Sequence, residues 1–327
     1  MQLPLERGPI SRYVIETLTA GHDADPATMP GVTRAVLQDP DAQLALWVLY
    51  ELHYRGFDGV PDEREWDVGL LGLRRTLERR FTDELREGTR PLLAQLTGDG
   101  DVAQQLLALI AADDSPSPAS FLHRQASREQ VVDFLRERSV QQLKESDPQS
   151  FVLPRIGGAA KVALAEIQYD EYGGGRPAHL HATMYAAALE AAGLDPTYGA
   201  YIDDVSVISL ATANSMSLLG LNRSLRGAAM GHLAAFEATS SVPSRKIAAG
   251  IERVGLPDTV AAYFHEHVEA DAVHEQVAVH DICGVLVADE PSLHGDVLFG
   301  AACCLYLAAL SSEELLQRWV PSMEAAS

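Results

Sequence analysis

Between Tyr263 and Gln276 the chain reads YFHEHVEADAVHEQ. Phe264, Val268, Val273 and Val277 recur at helical rather than strand spacing, so the segment predicts an α-helix. On that helix His267, Asp271 and His274 stand at i, i+4 and i+7 and project from one face. Imidazole and carboxylate so arranged can converge on a transition metal, and nitrogen and oxygen donors suit iron, manganese or zinc. A solvated, histidine-rich helix that holds no ion fits the same letters. His265, Glu266, Glu269 and His280 fall mostly on other faces.

Outward from this stretch the same period dominates. Leu44, Trp47, Val48, Glu51 and Leu52 read as one helical face, Leu70, Leu71, Leu73 and Leu77 begin another, and Leu106, Leu107 and Ile110 belong to a third. Aromatics make up only 6% of the chain, and no series of alternating Val/Ile/Thr runs ends in Asn-Gly or Asp-Gly turns. The fold class is therefore all-α. ADDSPSPAS, around residues 113–120, clusters proline, serine and aspartate and predicts the main break. It separates a helical accessory region, 1–115, rich in arginine (Arg74, Arg75, Arg79, Arg80, Arg86), from a domain at 116–327 that holds most of the histidines. A surface loop within one continuous domain fits nearly as well.

The 327 residues carry 25 basic and 46 acidic side chains, a net charge of −21. So acidic a surface repels phosphate backbones and anionic lipid headgroups, which argues against nucleic-acid and membrane partners. Apolar runs such as Ala301–Leu310 are too short to cross a bilayer, and MQLPLERGPI lacks the order of a signal peptide. Cys283, Cys303 and Cys304 form neither a disulfide framework nor a CxxC clip and read as buried small hydrophobes. These features predict a soluble cytoplasmic protein.

A second chemical signal is EIQYDEYGGGRPAHLH, residues 166–181. Glu171 and His181 are ten residues apart, about 280° around an unbroken helix, so a regular helix would point them apart. Gly173, Gly174, Gly175 and Pro177 interrupt helical hydrogen bonding between them. A broken helix can bring both to one point, and a plain helix–loop–helix turn is the alternative. Glu237 sits beside Leu233 and Phe236, where a buried carboxylate is costly unless paired or metal-bound. Glu145 lies in QLKESDP, where Asp147-Pro148 reads as a helix exit. Solvent exposure is the ordinary expectation for each of these two glutamates. Together, Glu145, Glu171, His181, Glu237, His267, Asp271 and His274 supply the donor composition of two metal ions in a helical bundle.

QLKESDP, EIQYDEYGGG with the following LH, NRSLRGAAMGHLAAFE and HEHVEADAVH, taken in this order, resemble the haem-oxygenase-like diiron oxidase superfamily of iron-containing redox enzymes. The similarity covers roughly residues 120–310, and ELHYRGF (51–57) looks like that superfamily's N-terminal part. The resemblance implies a seven-helix bundle that binds no haem, two Fe(II) ions, and O2 as co-substrate. It implies that Glu145 comes from the first core helix, Glu171 and His181 from the broken second, and His267, Asp271 and His274 from the third. Glu237 would be the extra carboxylate that some members, notably N-oxygenases, carry on an auxiliary helix. Glu51 and His53, about 200° apart on a helix, read as structural.

The expected activity is O2-dependent oxidation of a small amino acid or amine in natural-product biosynthesis, with C–H oxidation (desaturation, cyclisation or C–C cleavage) favoured over N-oxygenation. An external electron donor is a candidate partner. Arg223, Arg226, Arg245 and Lys246 are candidates to pair a substrate carboxylate, salt bridges being the other use for them. Met216, Met230 and Phe236 are candidates for an apolar wall. Two other classes stay open. An iron-storage or ferroxidase protein would share the donors, although no Glu-x-x-His surrounds Glu145 or Glu171. A helical interaction protein would account for the arginine-rich N-terminal region. Trp47, Leu70, Leu77 and Leu107 read as exposed apolar positions and motivate a homodimer.

Overall fold

The computed structural model describes residues 1–21, 23–25, 27–96 and 100–320, with the side chains of 269–272 outside that set. Among the described residues there is no strand. The helices are α1 (Pro9–Ala20), α2 (Pro40–Glu51), α3 (Val68–Leu93), α4 (Val102–Ala111), α5 (Pro118–Arg124), α6 (Arg128–Gln142) and α7 (Asp147–Ser150). They continue as α8 (Gly158–Glu171), α9 (His181–Ala191), α10 (Val207–Leu221), α11 (Arg226–Arg253), α12 (Asp258–Gln276), α13 (Val285–Asp289) and α14 (His294–Trp319). A π-helical stretch, Val277–Gly284, joins α12 to α13.

Local chemistry sets many of the starts. The Asp39, Asp67, Asp101 and Ser206 side chains each accept a backbone N–H from the first turn of the helix that follows. Ser127 and Gln130 form a reciprocal capping box at α6. Asp147-Pro148 does not close a helix: α6 ends at Gln142, and Pro148 lies in the first turn of the short α7.

The long α11 is central, packed against α5, α12 and α14. Two apolar clusters surround it. One runs from Ile10 to Leu307, and the other gathers α5, α6, α9 and α12 around Tyr185 and Tyr263. Helix α2 is buried on all sides rather than along one face, since every residue from Asp41 to Glu51 is inside. Trp47, Leu70 and Leu77 are at most 1% exposed, and Leu107 packs against the same core. Trp47, Leu70 and Leu77 fill the chain's own interior and offer nothing to a second copy, while Leu107 is half-buried. The ion pairs Arg74–Glu78 and Arg86–Asp296 employ two of the N-terminal arginines.

Ala301–Leu310 is part of a longer helical stretch, Pro291–Trp319, that by length and composition alone is apolar enough to cross a membrane. Here its apolar residues, from Val297 to Leu307, pack against α11 and the first cluster. Cys283, Cys303 and Cys304 are buried and free, as expected, and burial pushes each thiol's pKa up.

Candidate metal centre and adjoining cavity

Glycine makes the central turn. Helix α8 ends at Glu171, and Gly173, Gly174 and Gly175 follow with φ of 83°, 59° and 78°, a left-handed run that side chains with a Cβ resist. The chain doubles back and α9 begins at His181, placing His181 Nδ1 2.9 Å from Glu171 Oε2. The interruption thus joins two residues that an unbroken helix would have separated.

Two trios of donors result. Glu145, His181 and His267 form one, and Glu171, Glu237 and His274 the other; within each, three donor atoms lie within 4.8 Å of one another. All six residues are only 2–5% exposed. Glu171 connects the trios, with Oε2 toward His181 and Oε1 3.6 Å from His274 Nδ1. Glu237 Oε2 lies 3.5 Å from the same His274 nitrogen, and Glu145 Oε2 lies 3.5 Å from His267 Nε2. Asp271 falls among the side chains outside the described residues.

Surrounding polar groups orient these donors. Gln142 Nε2 and Tyr263 OH donate to the two oxygens of Glu145, at 3.0 and 2.7 Å, while Ser146 Oγ donates to Glu171 Oε2 at 2.7 Å. His267 Nδ1 bonds the Tyr263 carbonyl at 2.8 Å, and since a carbonyl only accepts, that nitrogen carries the proton. In the neutral imidazole Nε2 then presents its lone pair on the Glu145 side. His274 Nε2 lies 3.4 Å from Asp170 Oδ2, leaving Nδ1 for the interior. Carboxylates and carbonyls behind metal-binding imidazoles fix the tautomer in this way.

The donor set fits iron on this structure's own terms. His181 Nδ1 and His274 Nδ1 are buried without a hydrogen-bond partner although carboxylate oxygens face them. Such orphaned atoms are rare unless a further group satisfies them. Without a metal, protons compensate the charge. Burial works against protonated His274, but the facing carboxylates of Glu237 and Glu171 outweigh it and raise it to about 9. Burial pushes Glu171 up, yet His181 and His267 outweigh it and hold it down to about 2. Burial raises Glu237, with the negative charge of Glu171 adding to the rise. A cation bound among these groups would displace the protons.

A cavity of about 260 Å³ adjoins the first trio. His267, Tyr263 and Gln142 lie at its inner wall, Phe134, Phe236 and Phe264 line its sides, and Arg138 and His232 also face it. Arg223, Arg226, Arg245 and Lys246 do not line it. Arg226 pairs with Glu290, Lys246 Nζ donates to Ser120 Oγ, and Arg223 and Arg245 are exposed. Met230 is buried in the core, and Met216 lines a separate small void that His232 also touches. Glu51 is structural, as expected: Lys144 and Tyr198 OH both bond its Oε1 in full burial. His53 bonds Glu65 at 2.8 Å.

Sequence reasoning missed Gln142, Tyr263, Asp170, His232 and Arg138. The first two were within reach, since Gln142 stands three residues before Glu145 and Tyr263 four before His267, both helical-neighbour spacings.

Residues 132–309 match the model of a family described as iron-containing redox enzyme, more than half of the chain. No curated protein matches the chain. Two solved structures of a CADD-like protein of unknown function from Nostoc punctiforme PCC 73102 are similar. One, at 2.00 Å resolution, has 19% identity and TM-score 0.48, covering 73% of this chain and 98% of that one. The other, at 1.35 Å, has 18% identity and TM-score 0.47, covering 74% and 97%.

Proposed function

The chain belongs to the iron-containing redox enzyme family, with an all-α, haem-oxygenase-like fold, and from that premise we propose that it is an O2-dependent non-haem diiron enzyme oxidising a small amino acid or amine. The observation that carries this reading is the pair of buried donor trios joined through Glu171 beside a cavity. Glu145, His181 and His267 would hold one ferrous ion and Glu171, Glu237 and His274 the other, with Asp271 the seventh ligand. When bound, the two ions supply the electrons that reduce dioxygen.

The chain's own residues do the rest. Gln142 and Tyr263 keep Glu145 fixed, so its position does not depend on the ion arriving. The Tyr263 carbonyl and Asp170 set the His267 and His274 tautomers. The phenylalanine walls limit water around the substrate.

Carbon oxidation is the reading we favour. Nitrogen oxidation is the second, supported by the seating of Glu237 with Glu171 and His274, since that glutamate matches the extra carboxylate found in N-oxygenases. A storage role has less support: the donors form two trios rather than an array, and they adjoin a cavity with apolar walls. The test is to load the protein anaerobically with ferrous iron, add pooled free amino acids and small amines, admit air and follow the pool by mass spectrometry. Loss of two hydrogens or fragmentation of one compound is expected, and gain of oxygen at nitrogen supports the second reading. Oxygen consumption with every compound intact contradicts the substrate class.

A further inference from the structure

The cavity beside the first trio has a charge on its wall that the metal reading leaves unused. Arg138 belongs to α6, one turn before Gln142, and lines the cavity together with it. Among the described residues no carboxylate lies within ion-pair distance of its guanidinium; its contact is the face of the Phe134 ring, 5.9 Å from the centroid. The acids that share the wall are engaged. Glu137 Oε1 accepts from Arg318 and its Oε2 from Ser206 N and Ser209 Oγ, and Asp113 accepts from the Ser115 amide. Among the described residues Arg138 is the only arginine or lysine lining this cavity, in a chain whose acids outnumber its basic residues by 46 to 25. Burial raises the Tyr263 and Tyr185 hydroxyls well above the ordinary range, and the charge of Arg138 offsets a part of that rise.

We propose that the cavity seats a small monocarboxylate with an apolar or aromatic body, its carboxylate gripped by the Arg138 guanidinium. A planar fork of N–H donors matches a carboxylate better than any other group the wall offers. Phe134, Phe236 and Phe264 suit the body of the ligand. The volume, about 260 Å³, lies near the low end of ligand pockets, roughly 300 Å³, so the ligand is small. One helical turn, about 6 Å of rise, separates Arg138 from Gln142, and the arginine side chain leans toward the helix N-terminus, away from Glu145. The part of the ligand at His267 is therefore remote from its carboxylate. His232 offers the ligand a neutral imidazole, because burial holds its pKa down to about 4. This choice of reacting end rests on the metal reading, whereas the grip of Arg138 does not.

Calorimetric titration of the full chain under argon, with and without ferrous iron, tests the assignment. The probes are sodium hexanoate and sodium 3-phenylpropionate against their neutral amides. Each acid is expected to bind about tenfold or more tightly than its amide, with or without iron. Arg138→Gln is expected to erase the difference and Arg138→Lys to keep part of it. Equal binding of acid and amide, no binding of either acid, or an acid preference that survives Arg138→Gln overturns the proposal. A preference present only with iron also overturns it, because the acid then binds the metal, and the diiron reading stands. A preference intact in a protein that binds no iron leaves the anchor and defeats the diiron reading.

Discussion

Gly231 on α11 and Gly300 on α14 lie where the two central helices touch backbone to backbone. A Cβ on Gly231 would stand 1.8 Å from the Val297 carbonyl oxygen, and one on Gly300 1.8 Å from that of Ala228. Ordinary contact begins at 3.4 Å, so Gly231→Ala must move the helices apart by about 1.6 Å. Alanine is the better helix former by about 1 kcal/mol, while overpacking of this kind costs about 3 kcal/mol. The expected net loss is about 2 kcal/mol, or roughly 3 °C in Tm for a chain of 327 residues. Gly72 in α3 provides the control, since a Cβ there meets nothing within 4 Å; Gly72→Ala should stabilise by about 1 kcal/mol. Because Glu237 follows Gly231 on the same helix, the shift should also weaken iron binding at the second trio. Thermal melts and iron titrations of the two variants decide the matter. Equal Tm changes in both, or an unchanged Gly231→Ala protein, would refute the packing argument.

Other outcomes follow from buried polar groups. Lys144→Met strands the Glu51 carboxylate, whose side chain is fully buried; unfolding in urea should show a loss of about 3–5 kcal/mol, much of it recovered in Glu51→Gln/Lys144→Met. A loss under about 1 kcal/mol would show that the pair is not desolvated as described. His232 carries a folded pKa lowered from 6.5 to about 4 by burial. The unfolded chain then binds the extra proton first, so stability present above pH 6.5 declines toward pH 4, by about 3 kcal/mol. His232→Leu should flatten that part of the stability–pH curve, and an unchanged slope would contradict it.

The helical class was readable because apolar spacing is a local property, and so was the break after Glu171, because three consecutive glycines are a backbone instruction. Convergence of Glu145 and Glu237 with the histidines was legible only through the resemblance. Glu145 sits in the turn between α6 and α7, where helical spacing specifies no face. Glu237 meets His274 across two packed helices, a long-range pairing that spacing does not encode. Trp47, Leu70 and Leu77 show the opposite difficulty, since periodicity marks an apolar face but not what covers it. The cations show the same limit: Arg223, Arg226, Arg245 and Lys246 are near the motifs in sequence but do not line the cavity, whereas Arg138 lines it from α6.

The proposed function requires two irons, one in each trio. Anaerobic equilibration with ferrous iron, followed by metal analysis of the desalted protein, tests it most directly. Two irons per chain are expected, falling to about one in both Glu145→Ala and Glu237→Ala, with proton release as the ions displace the His274 proton. One iron in the unaltered chain, many irons per chain, or two irons unaffected by either substitution would contradict it.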